Sequence, residues 1–482
     1  MRGVPAPAFF IRISCFMTSQ ELPSVSPEAD SWQQGQLVEL TITDLSDDGA
    51  GVGRVEGRVV FVPDTAPGDR VEVRLVRVKR QYAEAKLHQI LEPSPQRQRP
   101  PCIVADKCGG CQWQHIAYPH QLEAKRNQVI QALERIGGFE NPPVAPILAP
   151  ATDLHYRNKV TYPLDRSATG QVQAGYYRKG SHRLINLNQC PVQDERFDPL
   201  LREIKEDLQT QGWSIYDEEK HRGKLRHLSF RVGRRTGEIL LTLVSREESI
   251  PGLAEQATQW LERYPQMVGV CLNVNSQRTN AIFGPKTDCI AGQGFLTETF
   301  AELQYQIGPT TFFQVYTEQA EAMLEQIVST LQLTGQEMLV DAYCGVGTLT
   351  LPLAQRVRQV VGLEVHEASV EQARANAALN WLTNATFLVG SVETLLPSLE
   401  QTPDVVLLDP PRKGCDRRVI EALIAIAPAR IVYMSCKPAT LARDLKLLAE
   451  QGYRLTRVQP ADFFPQTSHV ECVAFLERGD RP

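Results

Sequence analysis

The sequence predicts an α/β protein whose C-terminal third is a doubly wound parallel sheet. From residue 317 onward, apolar strand segments alternate with helical segments, as in a parallel sheet covered by helices. Residues 36–91 hold several short alternating strands broken by turns, which is typical of a small closed barrel of the OB type. Residues 155–310 are again rich in strands and predict a central α+β region.

In the C-terminal third each predicted strand is followed by a helix-length segment, apart from one pair of successive strands. Helices are predicted at 317–332, 348–358, 367–381, 417–427 and 438–451, and strands at 338–343, 359–364, 386–390, 404–408 and 430–435. We divide the chain into a disordered tail over 1–31, a barrel over 32–92, a central domain over 93–310 and a sheet domain over 311–482. Residues 118–138 predict an amphipathic helix that is a candidate to pack on the last domain.

Composition and charge limit which partners and which location the protein can have. The chain has 482 residues, 42% of them hydrophobic, and a formal net charge of −5, so any surface that attracts nucleic acid must be local. No segment approaches the ~20 apolar residues that span a bilayer. The tail starts at Met1 or Met17 and lacks the features of a signal peptide. We therefore expect a cytoplasmic protein without a membrane partner.

Two predicted strands end on residues that can perform chemistry. Residues 405–408 lead into Asp409, and 430–435 lead into Cys436. Ligands of open α/β sheets bind at the carboxyl ends of the strands, so a thiol and a carboxylate at that edge indicate an active site. Lys437 follows the thiol and is expected to favour the thiolate. The alternative, an inert buried cysteine, fits the end of a strand poorly.

A glycine turn follows the strand at 338–343. Gly345 and Gly347 allow the backbone to approach a ligand, and Glu364 ends the next strand about 20 residues on, where a carboxylate can accept ribose hydroxyls. Thr350 stands where a dinucleotide site has its third glycine, so a nucleoside ligand without pyrophosphate is favoured. S-adenosylmethionine (SAM) fits this description. An ordinary strand–helix turn is the alternative.

Four of the eleven cysteines form a candidate metal site. Cys102, Cys108 and Cys111 lie close in sequence, and Cys190, followed by a proline, is the candidate fourth ligand. Four thiolates suit zinc or an iron–sulfur cluster, and the first spacing does not match the paired spacings of zinc sites. The cysteines to which we assign structural or incidental roles are Cys15, Cys271, Cys289, Cys344, Cys415 and Cys472.

Basic and aromatic residues concentrate in three stretches. The last hairpin of the barrel holds Arg70, Arg74, Arg77, Lys79 and Arg80, followed by Tyr82; the other two stretches are 156–183 and 222–235. Cations for phosphates and rings for stacking suit a looped or single-stranded RNA. Solvated hairpins are the alternative.

Three motifs together resemble the RNA 5-methyluridine (uracil-C5) methyltransferases: Asp-Ala-Tyr-Cys-Gly-Val-Gly-Thr (341–348), Leu-Asp-Pro-Pro-Arg-Lys-Gly (408–414) and Tyr-Met-Ser-Cys-Lys-Pro (433–438). The barrel resembles a TRAM domain. This resemblance implies a Rossmann-like SAM-dependent methyltransferase domain with a central iron–sulfur domain. It places SAM contacts at Gln314, Tyr343, Thr348, Glu364, Ser391 and Asp409, and a [4Fe-4S] cluster on Cys102, Cys108, Cys111 and Cys190.

Uracil C5 is a weak nucleophile, and addition of a thiolate at C6 activates it by covalent catalysis. The strand-end position and the resemblance both assign this role to Cys436. A base must then remove the C5 proton. The resemblance gives that role to Glu471, with His469 as the rival, and the target uracil is expected to flip out of its RNA.

The barrel and the four cysteines together resemble the 23S ribosomal RNA enzymes, and we expect a monomer that acts on ribosomal RNA. Three alternatives stay open. The first is a tRNA uracil-C5 methyltransferase, and the second is a non-catalytic TRAM-type RNA-binding protein. The third is an adenine-N6 methyltransferase, but those enzymes have an aromatic residue after the Asp-Pro-Pro motif, where this chain has Arg412.

Overall fold

The computed structural model describes residues 32–479, so the tail expected to be disordered lies outside the described residues. At the N-terminal end five strands close into a barrel, in the order β1-β2-β3-β5-β4 with β4 pairing back onto β1. Alternate side chains such as Ile42, Val60 and Val73 fill its interior. The strands are β1 Leu37–Leu45, β2 Gly51–Val55, β3 Arg58–Val62, β4 Arg70–Val78 and β5 Tyr82–Glu92. The predicted closed barrel is confirmed.

A long helix, α1 (Tyr118–Ala132), follows the barrel and the first cysteines. It continues as a π-helical turn over Leu133–Gly137 and ends at Gly138, whose φ of 72° gives the left-handed conformation that glycine adopts without steric cost. Both parts contact α9 (Pro438–Ala449) of the C-terminal domain, and α1 also contacts β20 (Tyr453–Ala461). The helix therefore lies against the sheet domain rather than inside the central one.

The central region is a seven-stranded mixed sheet in the order β12-β11-β10-β9-β6-β7-β8. Helices α2 and α3 cover one face, where Phe197, Trp260 and Leu241 share one core. Its elements are β6 Lys159–Arg166, β7 Val172–Tyr177, β8 Leu184–Asn186, α2 Phe197–Thr210, β9 Leu225–Val232, β10 Ile239–Ser245, α3 Leu253–Arg263, β11 Met267–Val274 and β12 Lys286–Gly292. A hairpin, β13 (Leu296–Phe300) and β14 (Leu303–Ile307), then packs on α6 of the last domain.

The C-terminal domain is built on a second seven-stranded sheet, in the order β17-β16-β15-β18-β19-β21-β20. The first five strands in this order are parallel, as predicted, and β21 and β20 are antiparallel. The elements are α4 Thr317–Leu331, β15 Met338–Ala342, α5 Thr350–Ala354, β16 Gln359–Glu364, α6 Glu367–Leu379, β17 Ala385–Val389, α7 Val392–Leu395, β18 Val405–Leu408, α8 Arg417–Ile426, β19 Arg430–Ser435, α9 Pro438–Ala449, β20 Tyr453–Ala461 and β21 Glu471–Arg478.

The sequence prediction for this domain differs from the structure in two places. Helix α5 is shorter than the predicted 348–358, because the preceding residues form a run of turns. The antiparallel strands β20 and β21 were missed. Strand order reverses between β15 and β18, and a crevice at such a point is where α/β sheets bind ligands. Within residues 32–479, no helix is long and apolar enough to cross a membrane.

Candidate active site

The carboxyl edge of the parallel sheet gathers most of the residues that the sequence singled out. Tyr343, Asp409 and Cys436 directly follow β15, β18 and β19, and Glu364 is the last residue of β16. Because these strands are parallel neighbours, their carboxyl ends meet at one edge. The predicted site residues of four strands are therefore brought to one place.

The turn after β15 is held by the end of β16. The Glu364 carboxylate accepts hydrogen bonds from the backbone N–H of Gly345 at 3.2 Å and of His366 at 2.8 Å. Tyr343 has a φ of 70°, a conformation that costs a non-glycine residue free energy and is found mostly at functional sites. Gly347 shares this left-handed conformation, and a Cβ there would approach the Leu351 side chain to 3.1 Å. The result is a tight loop beside a fixed carboxylate.

Two acids lie beneath this loop. Burial raises the pKa of Asp409 to about 7. Burial also raises the pKa of Asp341 to about 7. The Thr350 hydroxyl donates a 2.5 Å hydrogen bond to Asp341, which favours the ionised form and opposes this rise. Asp341 was part of a motif but was not singled out as a site residue from the sequence. Acids of perturbed pKa in a crevice indicate a functional site rather than a structural one.

Cys436 is half-buried between charged groups of both signs. Burial raises the pKa of its thiol to about 11, the negative charge of Glu471 adds to the rise, and Arg412 opposes it. Lys437 was expected to favour the thiolate. The cation with the largest effect on the thiol is Arg412, from the loop after β18, while Lys437 is exposed at the start of α9.

Glu471 is the first residue of β21 and its carboxyl group is buried. Burial raises the pKa of Glu471 well above its ordinary value; Asp409 raises it further, and Arg412 lowers it. Antiparallel pairing of Ser435 with Cys472 places the residue after β19 opposite Glu471. The thiol and the carboxyl group are thus close enough at the edge of the sheet to interact electrostatically.

His469, the rival base, is engaged elsewhere. Its Nδ1 lies 3.0 Å from Nη2 of Arg412. A guanidinium group has donors only, so Nδ1 must accept this hydrogen bond and its lone pair is occupied. Burial and Arg412 lower the pKa of His469, which keeps the ring neutral. The geometry favours Glu471 over His469 as the group that removes a proton.

The remaining predicted SAM contacts lie on loops. Gln314 precedes α4, and its backbone carbonyl accepts a 2.9 Å hydrogen bond from Asn158 of the central region. Thr348 lies in the turn before α5, and Ser391 precedes α7 with its hydroxyl 3.0 Å from that of Thr394. Phe312, two residues before Gln314, is an apolar side chain that is 68% exposed beside this candidate contact.

All four candidate metal ligands line one cavity of about 60 Å³. Burial raises the pKa of Cys111 to about 11 and that of Cys190 to about 12, and the other thiols of the set contribute in both cases. No group of three or more His, Cys, Asp or Glu side chains within residues 32–479 is gathered as a finished metal site. A common cavity walled by four thiols is nevertheless the donor set that an iron–sulfur cluster uses.

Part of the predicted basic surface has a structural role. In the stretch 222–235, Arg226 and Arg231 are buried, and Arg234 forms ion pairs with Asp194 and Glu318. For these residues the prediction of an RNA contact was wrong, because their side chains are buried or bonded to other parts of the protein. The cations that remain exposed include Arg77, Lys79 and Arg80 of the barrel, and Arg178, Arg183 and Arg222 of the central region.

Comparison with known proteins matches this architecture. Residues 117–479 match the family model described as tRNA (uracil-5-)-methyltransferase, and residues 31–88 match the TRAM domain. An uncharacterised RNA methyltransferase of Nostoc sp. is 65% identical over 92% of this chain and 97% of its own length. A relative of the same description from Bacillus cereus is 39% identical over 93% of this chain and 98% of its own.

A solved structure is similar to this chain over most of its length. The tRNA (uracil-54, C5)-methyltransferase of Pyrococcus abyssi, in complex with S-adenosyl-L-homocysteine, is 30% identical and has a TM-score of 0.73. The match covers 91% of this chain and all of that one. The Rossmann-like domain and the barrel predicted from the sequence are confirmed. The chain therefore belongs to the RNA uracil-C5 methyltransferase family, with a TRAM domain at its N-terminal end, and is an RNA methyltransferase.

Proposed function

We propose that this protein transfers the methyl group of SAM to C5 of a uridine in RNA through a covalent bond between Cys436 and C6. The observation that carries the proposal is the placement of a thiol and a buried carboxyl group opposite each other, with Arg412 beside both. A nucleophile, a base and a cation at one sheet edge are what C5 methylation needs.

SAM is the methyl donor in this proposal, and the solved structure with bound S-adenosyl-L-homocysteine supports it. Tyr343, Glu364 and Asp409 lie at the carboxyl edge where a nucleoside ligand binds in such sheets. We assign Gln314, Thr348 and Ser391 to the same ligand from the loops around that edge. Glu364 would accept the ribose hydroxyls with the lone pairs that its two backbone bonds leave free.

The reaction proceeds in three steps. The Cys436 thiol loses its proton to water, and its thiolate adds to C6 while the electrons of the double bond move towards O4. C5 then takes the methyl group from the sulfonium, which leaves S-adenosylhomocysteine. Finally, Glu471, which has given its own proton to water, removes the C5 proton as a carboxylate; the electrons of that bond restore the double bond, and the C6–S bond breaks to return the thiolate.

The direct test uses RNA that contains 5-fluorouridine. Fluorine at C5 cannot leave as a proton, so the methylated adduct stays bound to the protein. We expect a stable protein–RNA adduct with the wild type in the presence of SAM and none with Cys436→Ala. Cys289→Ala, which removes an exposed thiol of the central sheet, is the control and keeps the adduct. An adduct that survives in Cys436→Ala would refute the assignment.

We further propose that Cys102, Cys108, Cys111 and Cys190 hold one [4Fe-4S] cluster. The proposal is supported by the cavity that the four side chains share and by their chemistry, since four thiolates are the ligands of such a cluster. A bound cluster would be held by thiolates from the segment before α1 and by the thiolate of Cys190 before α2, and would link these two parts of the chain.

Two RNA classes compete as substrate. We propose 23S ribosomal RNA, because the barrel and the cysteine set resemble those enzymes, with the protein acting as a monomer in the cytoplasm. A tRNA target is the second candidate, and the specific observation in its favour is the Pyrococcus abyssi enzyme, which acts on uracil-54 of tRNA. Methyl transfer to deproteinised large-subunit RNA and to tRNA transcripts, measured side by side, separates the two. Methylation of tRNA alone would overturn the ribosomal assignment and leave the chemistry intact.

A further inference from the structure

The connection between β20 and β21, residues 462–470, is buried along most of its length. Connections between strands usually lie on the surface, because a buried one must find partners for all its backbone polar groups. This one carries His469 and leads directly into Glu471. Glu471 pairs with Ala461 across the end of this connection, so a displacement of the connection acts directly on the start of β21.

An ion pair from α1 anchors the beginning of the connection. The Lys125 ammonium donates to the Asp462 carboxylate at 2.6 Å and to the carbonyl of Phe464 at 3.0 Å. Both charged side chains are fully buried. Tyr118, about two helical turns earlier on α1, donates to the other oxygen of Asp462 at 3.1 Å. A buried pair of this kind adds little net stability but is strongly destabilising to break, because one charge is then left buried without a partner.

A second anchor from α1 lies closer to the base. The Gln121 side chain accepts from the backbone N–H of Gln466 at 3.1 Å and donates to the Gln466 side chain at 3.0 Å. Gln466 has a φ of 70°, which costs free energy in a residue other than glycine and persists only when the surroundings fix it. Its carbonyl accepts from Gln112 and Trp113, the two residues after Cys111.

We propose that Gln121 and Lys125 are positioning residues that hold Glu471 in place for removal of the C5 proton. The proposal rests on the proposed function. Neither side chain reaches the reacting atoms; each acts through the connection. Cys436 is carried by β19 and α9 instead, so loss of the α1 anchors should disturb the base more than the nucleophile.

This arrangement predicts a defect in one step only. A displacement of about 1 Å in a reacting group can slow a step by about 100-fold. In Gln121→Leu, we expect removal of the C5 proton to slow by about 10- to 100-fold. Addition of Cys436 and methyl transfer should continue at close to the wild-type rate. The methylated adduct should then accumulate on RNA that contains ordinary uridine.

The experiment uses full-length protein with ribosomal and tRNA transcripts that contain [5-³H]uridine. In single turnovers, methyl transfer from labelled SAM, tritium release to water and the protein-bound RNA fraction are followed together. Glu123→Gln, at an exposed position on the same helix, is the matched control and should behave like the wild type. Gln466→Gly is the second variant, because glycine accepts the left-handed conformation and removes only the side-chain anchors.

The outcomes separate the possibilities. Slow tritium release with normal methyl transfer in Gln121→Leu supports the proposal, and the same result in Gln466→Gly supports it if Gln121→Leu does not fold. Equal loss of both rates in the variants that fold would show a merely structural role and overturn it, as would unchanged kinetics. Failure of the wild type to form any 5-fluorouridine adduct would instead refute the proposed function, so the two failures are distinguishable.

Discussion

Cys436 and Glu471 stand opposite each other at the edge of the sheet, because Ser435 of β19 pairs with Cys472 of β21. The carboxyl group raises the pKa of the thiol, and burial raises the pKa of both. Arg412 is the cation that favours the ionised form of each. Burial thus favours the protonated form of both groups, and the guanidinium group provides the counter-charge when either proton leaves.

The first prediction concerns pH. Because burial raises the pKa of Cys436 to about 11, the thiolate fraction at lower pH should increase tenfold for each unit by which the pH is raised. The rate of adduct formation with 5-fluorouridine RNA, at saturating SAM, should follow this rise from about pH 6.5 to about pH 9. A flat profile would show that substrate binding, not free-enzyme ionisation, sets the thiolate population.

The second prediction tests which cation activates the thiol. Arg412→Gln should slow adduct formation by about 10- to 100-fold, the scale of one lost charge-assisted contact at a partly buried site. Lys437→Gln is the control, because that side chain is exposed. It should change the rate little. The reverse order of effects would restore Lys437 as the activating residue.

The third prediction concerns the base. Glu471→Gln keeps the size of the side chain but has no proton affinity at neutral pH. Removal of the C5 proton should fall by about 100- to 10,000-fold, the usual contribution of a general base. Adduct with ordinary uridine RNA, resolved on a denaturing gel, should persist for the variant and disappear for the wild type. His469→Gln should resolve its adduct normally, since the Nδ1 of His469 is occupied by Arg412.

The fourth prediction concerns the four thiols. Anaerobically purified wild type should contain about four irons per chain, the content of one cubane cluster. Cys190→Ser should lose most of this iron, whereas Cys271→Ser, which changes a buried thiol of the central sheet, should keep it. Iron analysis and the visible absorption spectrum give the readout. Zinc in place of iron under these conditions would contradict the cluster.

The fifth prediction concerns the barrel. Substitution of Arg77, Lys79 and Arg80 by Gln removes three exposed cations from the β4–β5 hairpin. RNA affinity should fall, and the slope of its logarithm against salt should flatten by about 0.7 to 0.9 for each lost phosphate contact. Binding of SAM should not change, because its proposed site lies at the carboxyl edge of the C-terminal sheet, away from the barrel. An unaltered salt slope would remove this hairpin from the RNA surface.

The parallel sheet could be predicted from the sequence because each of its strands is a local apolar run, and the bounds of β16 and β19 agree with the prediction. Strands β20 and β21 were missed, since their pairing joins segments across a buried connection whose partners lie on α1. The facing of Cys436 and Glu471 follows from the pairing of β21 with β19, which joins segments distant in sequence, so no local pattern contains it. The prediction that Arg231 and Arg234 contact RNA was wrong for the same reason. Each side chain bonds to a residue far away in the sequence, Thr311 for Arg231 and Asp194 for Arg234, and no local pattern shows such a partner.

The turn between β1 and β2 of the barrel is hydrogen-bonded both to the segment before α1 and to the connection that leads into Glu471. The indole N–H of Trp113 donates to the carbonyl of Gly49 at 3.0 Å, and the Ser468 hydroxyl donates to that of Asp47 at 2.9 Å. A barrel attached in this way cannot be exchanged as an independent module. A chimaera that receives the barrel of a relative should work only if the graft reproduces this turn, and otherwise the exchange would disturb the residues just before Glu471.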